Sequence, residues 1–223
     1  MGLEKRDRSM TYAKIIADGS IRINSAESNP EAVRRDYELR DGTKGTKWEL
    51  VYDNLRGHIN DVEFEDGQFG VQLKLHISDS EGANIILAVP TAGKYADDIL
   101  KKLPNVDYSK DVNLVPYSFL DDKNKEQKGV SIYQDLGDVK PEKLTNYFYD
   151  SANKKSKDGY PDFPEDYKDF DKDDWKIHFI KCRKFLQKFT EDNVRPLILA
   201  NSGVVGGDQP EEEAGENIED VEI

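Results

Sequence analysis

Hydrophobic and polar residues alternate along much of the segment 46–133, which predicts a series of short β-strands. In the clearest case, apolar side chains occupy every second position from Val71 to Ile77, with polar residues between them. This period of two is typical of a strand with one buried and one solvated face. The same pattern predicts strands at 48–52, 57–64, 69–77, 84–89, 112–119 and 130–133. Gly57 is expected to mark a bend or bulge where a long first strand, 48–64, curls.

One helical pattern, at 94–103, falls between the third and fourth strands. Tyr95, Ile99 and Leu103 recur there at a spacing of four, which gives an apolar stripe suited to the floor of a barrel. Five strands with a helix inserted after the third is the element order of an OB barrel. We therefore expect a mainly β protein with helices, built on an OB-fold-like five-stranded barrel with an inserted helix and a C-terminal helix.

The segments on either side of this unit are less regular. Residues 1–35 are polar and predict an N-terminal arm or extra strands, with a helical turn possible at 31–35. A glycine turn at 41–45 predicts a hairpin between 37–40 and 48–52. The domain then extends over 36–200, and 201–223 is expected to be a flexible linker followed by an acidic tail.

The predicted C-terminal helix covers 174–190. Apolar residues recur in it at spacings of three or four, which indicates one buried face. The aromatic members of this stripe are expected to belong to the core. They are Trp175, Phe179, Phe185 and Phe189.

The net charge of −13 is concentrated at the C-terminal end of the sequence. The segment 208–223 contains eight acidic residues and no basic residue, and the other residues include 37 acidic and 32 basic ones. A mildly acidic body with a strongly anionic end is typical of a folded unit followed by a disordered interaction tail. Such a tail can also serve solubility alone.

Several functional classes are disfavoured by the sequence. The longest purely apolar run, 85–89, is far too short to span a bilayer, and a single cysteine, Cys182, permits no internal disulfide. We therefore expect a cytoplasmic protein, whether the cytoplasm is that of its own cell or of a host. The glycine-containing stretch 42–47 lacks the spacing of a phosphate-binding loop, and the three histidines have no zinc spacing with Cys182. The sequence thus predicts no cofactor, no metal and no enzymatic activity.

Aromatic and basic residues suggest a surface for single-stranded nucleic acid. The chain is 10% aromatic, with eleven Tyr, nine Phe and two Trp, and single-strand binders combine cationic grooves with rings that stack on bases. Strand alternation does not reveal which face would be the groove, so each candidate is open to packing or stacking. The candidates are Trp48, Tyr52, Lys74, His76, Tyr117, Phe119, Lys123, Lys125, Lys128, Tyr147, Tyr149, Lys154 and Lys155.

A family resemblance supports this interpretation. It rests on Trp48-Glu49-Leu50-Val51-Tyr52, Gly57-His58-Ile59, the segment 101–107, Pro116-Tyr117-Ser118-Phe119 and Gly129-Val130-Ser131-Ile132-Tyr133, followed by the acidic tail. This succession, over 37–187 plus the tail, resembles bacteriophage single-stranded DNA-binding proteins. The resemblance implies an OB-fold protein that coats single-stranded DNA without sequence preference in phage DNA replication, recombination or repair.

The resemblance also implies that the acidic tail recruits replication or recombination proteins and competes with DNA. The partner-binding candidates are Glu219, Asp220, Glu222 and Ile223. Tails in this family often end in an aromatic residue, and here Ile223 occupies that place.

A second interpretation belongs to another class. The mildly acidic body favours an acidic OB-fold adaptor or accessory protein that binds a protein partner and no nucleic acid. The sequence leaves the oligomeric state open.

Overall fold

The computed structural model describes residues 10–38, 42–67, 70–135 and 140–202. These residues are mainly β with helices, as predicted. The strands are β1 (Thr11–Ile15), β2 (Ile21–Ser25), β3 (Val33–Glu38), β4 (Lys44–Tyr52), β5 (Leu55–Gly67), β6 (Gly70–Ser78), β7 (Asn84–Pro90), β8 (Val112–Leu120), β9 (Glu126–Gln134), β10 (Glu142–Lys143), β11 (Tyr149–Asp150) and β12 (Lys155–Ser156). The helices are α1 (Lys94–Leu100), α2 (Lys172–Phe189) and α3 (Arg195–Asn201), with a 3-10 turn at Leu103–Asn105 and a π-helical segment at Thr190–Val194. None of the helices in the described part of the chain is long and apolar enough to cross a membrane.

Ten strands form one sheet in the order β10-β9-β8-β5-β6-β7-β1-β2-β4-β3. Its neighbouring strands are antiparallel except β1 and β7, which run parallel. The core covers one face of this sheet, where Leu73, Leu75 and Leu87 are completely buried. The alternation predicted for 71–77 is confirmed, because Gln72, Lys74 and His76, which alternate with the buried residues of β6, are only partly buried.

The predicted closed five-stranded barrel does not form among the described residues, because the sheet remains open. The expected element order is present in β5, β6, β7, α1, β8 and β9, and β5 pairs with both β6 and β8. However, β7 pairs with β1, from Thr11↔Ile85 to Lys14↔Ala88, and not with β9. Helix α1 packs against both β7 and β9. The N-terminal strands thus occupy the edge at which a barrel would close.

The turn between β1 and β2 nevertheless reaches the far side of the curled sheet. Gly19, at φ +85°, lies so close to β8 that a Cβ on it would be 2.8 Å from the backbone nitrogen of Ser118. The phenol of Tyr95 on α1 donates a hydrogen bond to the carbonyl of Ala17 in the same turn, at 3.4 Å. Glycine is suited to this place because it tolerates positive φ and leaves room for a neighbouring backbone.

Strand β5 changes its partner at Gly57. Residues 55–57 pair with β8, and the strand pairs with β6 from His58 onward. A Cβ on Gly57 would lie 2.8 Å from Cγ2 of Ile77 and even closer to the carbonyl oxygen of Ser78. The irregularity in this strand lies between Ile59 and Asp61, slightly beyond the bend or bulge expected at Gly57. The expectation that 48–52 belongs to the same strand is wrong, because β4 ends at Tyr52 and pairs with β2 and β3.

Replacing Gly57 with alanine is expected to destabilise the fold. The added methyl group would overlap backbone and side-chain atoms of β6, and overpacking of this kind costs about 1–3 kcal/mol. Urea unfolding at equilibrium measures the change, with Ser80→Ala in an exposed turn as a control that stays near the wild type. Wild-type stability in Gly57→Ala would mean that the strand can change partner without a glycine.

The N-terminal part of the sheet contains the predicted glycine hairpin, formed by β3 and β4. The helical turn suggested for 31–35 is wrong beyond its first residues, because Val33, Arg34 and Arg35 belong to β3. They pair there with Glu49, Trp48 and Lys47 of β4. Cross-strand pairing therefore outweighs the local helical preference of this short segment.

A buried carboxylate ties these N-terminal strands together. Glu49 on β4 is completely buried. It accepts hydrogen bonds from Arg35 at 2.7 and 3.0 Å and from Arg22 at 3.2 Å, and Lys14 lies 3.0 Å away. The hydrogen bonds from Arg35, helped by those from Lys14 and Arg22, hold the pKa of Glu49 at about 2, although burial acts in the opposite direction. One carboxylate on β4 thus binds cations from β1, β2 and β3.

Candidate nucleic-acid interface

A cleft of about 980 Å³ lies between the sheet and the C-terminal part of the described chain. Its walls come from the start of α1, from β8 and β9, from the β11–β12 ladder and from α2. Five of the thirteen predicted nucleic-acid-binding residues line it. They are Tyr117, Lys128, Tyr149, Lys154 and Lys155. The fold therefore brings predicted residues of the β8–β9 hairpin together with predicted residues of the β11–β12 hairpin.

The β11–β12 ladder presents one ring and two ammonium groups to the cleft. Tyr149 pairs with Ser156 and remains 49% exposed. Lys154 and Lys155 are exposed, and neither forms an ion pair within the described ranges. The carboxylate of Asp150 holds the connecting turn, accepting hydrogen bonds from the backbone nitrogens of Ala152 and Asn153 at 2.9 and 3.2 Å. A hydrogen-bonded turn thus places two lysines without ion pairs among the described residues beside an exposed ring.

Aromatic packing anchors this ladder to the body of the protein. Phe148, directly before β11, is buried, with its ring centroid 4.8 Å from that of Phe189 and 5.5 Å from that of Phe185. Tyr147 packs edge-on against Phe148 at 5.1 Å, and Lys157 lies over the Tyr147 ring. Tyr147, predicted as a nucleic-acid contact, therefore packs beneath the ladder and does not line the cleft.

Tyr117 forms the wall contributed by the sheet. It lies opposite Gly129 in the β8–β9 ladder, and its ring fills the space that a side chain at Gly129 would need. Burial, and then the charge of Asp98, raise the pKa of Tyr117, so the phenol stays neutral. Lys128 beside it is bound to Glu126 at 2.7 Å. Its charge is therefore partly compensated, in contrast to that of Lys154 and Lys155.

Two further rings in the cleft were not predicted as contacts. Phe163 is 62% exposed and Phe179 is 55% exposed. Their group includes Trp175, whose centroid lies 5.6 Å from that of Phe163 and 5.7 Å from that of Phe179. The expectation that Phe179 belongs to the core is wrong. Trp175, Phe185 and Phe189 are only partly buried, with the last two packed against the core.

The reason lies in where α2 meets the rest of the protein. Asp171 caps the helix, two residues earlier than predicted, and only Cys182 and Leu186 of α2 are buried. The first two turns of α2 extend past the core. The apolar stripe of the helix therefore meets the cleft at Phe179 before it reaches the core at Cys182. The aromatic residues that precede α2 were a usable signal, because Phe163 and Phe170 supply the rings that Trp175 contacts.

The β8–β9 hairpin continues outward from the cleft. Phe119 is 55% exposed, with its ring 5.8 Å from that of Tyr117. Lys123 and Lys125 are exposed at the tip, where both backbone nitrogens donate to Asp121 at 2.9 Å. These hydrogen bonds lower the pKa of Asp121, the bond from Lys125 most strongly. Three more predicted residues thus lie on the hairpin that contributes Tyr117 and Lys128 to the cleft, Phe119 in β8 and the two lysines in the turn.

The remaining predicted contacts lie on other parts of the sheet. Lys74 is bound to Glu65, and Nε2 of His76 lies 2.9 Å from Oε1 of Glu63. The charge of Lys74 is therefore balanced by a carboxylate of β5, and His76 is engaged by a second carboxylate of the same strand. Trp48 and Tyr52 belong to β4, and neither lines the cleft.

One pair in the cleft combines a histidine with a cysteine. Nε2 of His178 lies 3.5 Å from Sγ of Cys182. Burial lowers the pKa of His178 and raises that of Cys182, so both groups are neutral near pH 7 and the thiol is a poor nucleophile. Within the described residues, no group of three or more His, Cys, Asp or Glu side chains is placed to hold a metal ion.

The partner-binding candidates Glu219, Asp220, Glu222 and Ile223 lie outside the described residues. Comparison with protein-family models, with curated proteins and with solved structures gives no match. The functional argument therefore depends on the geometry of the cleft.

Proposed function

We propose that this protein binds single-stranded DNA without sequence preference. The observation that carries the proposal is the cleft, in which exposed rings of Tyr149, Phe163 and Phe179 lie beside the ammonium groups of Lys154 and Lys155. Six cationic side chains line the cleft against four carboxylates, Asp97, Asp98, Asp162 and Glu165, so the lining has a positive excess. Rings offer stacking to any base, and cations follow the phosphates. A duplex hides the faces of its bases, so a surface that offers stacking selects single strands.

Lack of sequence preference follows from the same chemistry. Every base has a face that can stack, and phosphates are the same along any strand. The described residues that line the cleft include no Asn or Gln, the side chains that pair bidentately with adenine. The β8–β9 hairpin, with Phe119, Lys123 and Lys125, offers a continuation of the path beyond the cleft.

We further propose that the centre of the fold is a variant of the OB barrel. The pairings of β5 with β6 and β8, of β6 with β7 and of β8 with β9, with α1 between β7 and β8, support this assignment. OB barrels are partly open, and here β1 pairs with the β7 edge. The fold alone does not determine function, so binding is inferred from the cleft.

Titration of fluorescently labelled oligo-dT with the full chain tests the proposed function. We expect binding, similar affinity for a mixed-sequence single strand, weak binding to duplex, and a steep loss of affinity as salt rises. An absence of oligonucleotide binding at low salt would contradict the proposal. Cleavage of the oligonucleotide in the presence of divalent metal would indicate a nuclease instead.

Deleting 208–223 is expected to strengthen binding of oligo-dT, by about tenfold at low salt and less as salt increases. The physical reason is competition, because eight acidic residues of the tail would contend with phosphates for the same cations. Fluorescence anisotropy on both chains across a salt series measures the difference. As a control, a tail of equal length with Asn and Gln in place of its acids should behave like the deletion. Equal affinity of all three chains would remove tail competition from the proposal.

The tail is also proposed to recruit replication or recombination proteins, in keeping with the resemblance to phage proteins. A protein ligand for the cleft itself is the second candidate function, because exposed Phe163 and Phe179 also suit an apolar protein surface. The oligo-dT titration separates the two, since an adaptor for proteins would not bind the oligonucleotide.

A further inference from the structure

The ten-stranded sheet has two very different edges. One ends in β10, which has only two residues, and the other ends in β3, which has six. No strand of the described chain pairs with the outer side of β3. An edge strand of this length presents unpaired backbone N–H and C=O groups, which can pair with another chain.

The charges along β3 are arranged in a way that suits pairing with a second copy. The strand reads Val33-Arg34-Arg35-Asp36-Tyr37-Glu38, so its first half is basic and its second half contains the acids. In an antiparallel pair of identical strands, basic residues face acidic ones. In a parallel, in-register pair, like charges would face each other, which is destabilising. The sequence of the edge therefore favours one mode of self-association and opposes the mode typical of fibrils.

Symmetry restricts the registers of such a pair to those in which one residue lies opposite its own copy. A twofold axis perpendicular to the sheet gives a continuous sheet in which each face is formed by the same face of both copies. The side chains of two opposed residues therefore point to the same face of this sheet. With the axis at Arg35, Arg34 lies opposite the partner's Asp36, and Val33 lies opposite the partner's Tyr37. Each of these contacts occurs twice. They are two ion pairs and two apolar contacts.

The present surroundings of these side chains are compatible with that register. Arg34 and Asp36 are paired with each other at 3.1 Å, but their side chains are 59% and 69% exposed, so both can reach a neighbouring strand. Val33 is 52% exposed. The two copies of Arg35 would be opposed at the axis, but each guanidinium is held by two hydrogen bonds to its own Glu49 on β4, on the inner side of the edge strand.

We propose that β3 pairs antiparallel with β3 of a second copy, forming a dimer with one continuous sheet. The contact involves six residues from each copy, which is small for a protein interface, so the dimer forms in a concentration-dependent way. The inference does not depend on nucleic-acid binding.

Sedimentation velocity of the full chain without nucleic acid, over a micromolar concentration series, tests the proposal. We expect the wild type to dimerise. Arg34→Asp and Asp36→Arg should each weaken self-association by about tenfold, because both ion pairs become like-charge contacts. Lys176→Asp, an exposed charge reversal on α2, is the matched control and should dimerise like the wild type.

The decisive measurement is an equimolar mixture of the two weakened variants. In a mixed dimer the Arg34→Asp chain supplies two acids and the Asp36→Arg chain two bases at the opposed positions, so we expect dimers to reappear with near wild-type affinity. Misfolding of either variant could not produce this rescue. A wild type that is monomeric throughout, variants that dimerise as well as the wild type, or a mixture that stays monomeric would each overturn the proposal.

Discussion

Alanine at both Phe163 and Phe179 is expected to weaken binding of oligo-dT by about 100-fold, since each stacked base is worth about 1–3 kcal/mol. Both rings line the cleft and are more than half exposed, so their removal should change stability little. No charge is lost, and the dependence of affinity on salt should therefore keep its wild-type slope. Fluorescence anisotropy across a salt series measures both quantities.

The control for this variant is Ile177→Ala with Ile180→Ala. Both isoleucines are exposed on α2, the helix that also carries Phe179, but neither lines the cleft. The control should bind oligo-dT like the wild type. If Phe163→Ala/Phe179→Ala bound as tightly as the control, these rings would not be the stacking surface.

Replacing Glu49 with glutamine should destabilise the protein by about 3–5 kcal/mol, the usual result of removing one partner from a buried ion pair. The variant removes the carboxylate partner of Lys14 and Arg35 and leaves Arg22 with Asp18 alone. Urea unfolding near pH 7 measures the effect. Glu38→Gln, which removes only an exposed partner of Lys44 at 3.6 Å, is the control and should change little.

The loss should also depend on pH in a defined direction. The pKa of Glu49 is depressed in the folded state to about 2 from an ordinary value of 4.5. A depressed carboxyl pKa stabilises the fold fully above the unfolded value, and the contribution disappears as pH falls toward the folded value. The stability gap between wild type and Glu49→Gln should therefore shrink between pH 4.5 and pH 2. A gap that does not change with pH would show that the carboxylate charge is not its origin.

Local periodicity predicted most of the central elements. Strands near 71–77, 84–89 and 112–119 and the helix beginning at Lys94 all appear, because each is specified by the burial of its own alternate or spaced apolar residues. The open sheet could not be predicted in this way. The pairing of β1 with β7 joins Thr11 to Ile85, and nothing in the local pattern of either segment identifies the other as its partner.

At the candidate site, too, local sequence patterns did not reveal contacts between distant segments. Lys74 was predicted correctly as a residue of the polar face, but its neutralisation depends on Glu65 in another strand. Phe179 was assigned to the core because helical spacing reveals which residues share a face and not what that face meets. Lys154 and Lys155 were recognised by composition alone, since an exposed basic turn beside rings requires no long-range pairing to be visible.

The parallel pairing of β1 with β7 has a consequence for how the chain folds. During synthesis the first strand emerges long before its partner, and closing a loop of that length is entropically slow. The N-terminal hairpin therefore forms before β7 is available to pair with it. Until then, Ala13 and Ile15 lack the neighbours that bury them in the native fold. Completion of the native sheet is expected to be a late step, and the interval before it is when the nascent chain is most prone to aggregate.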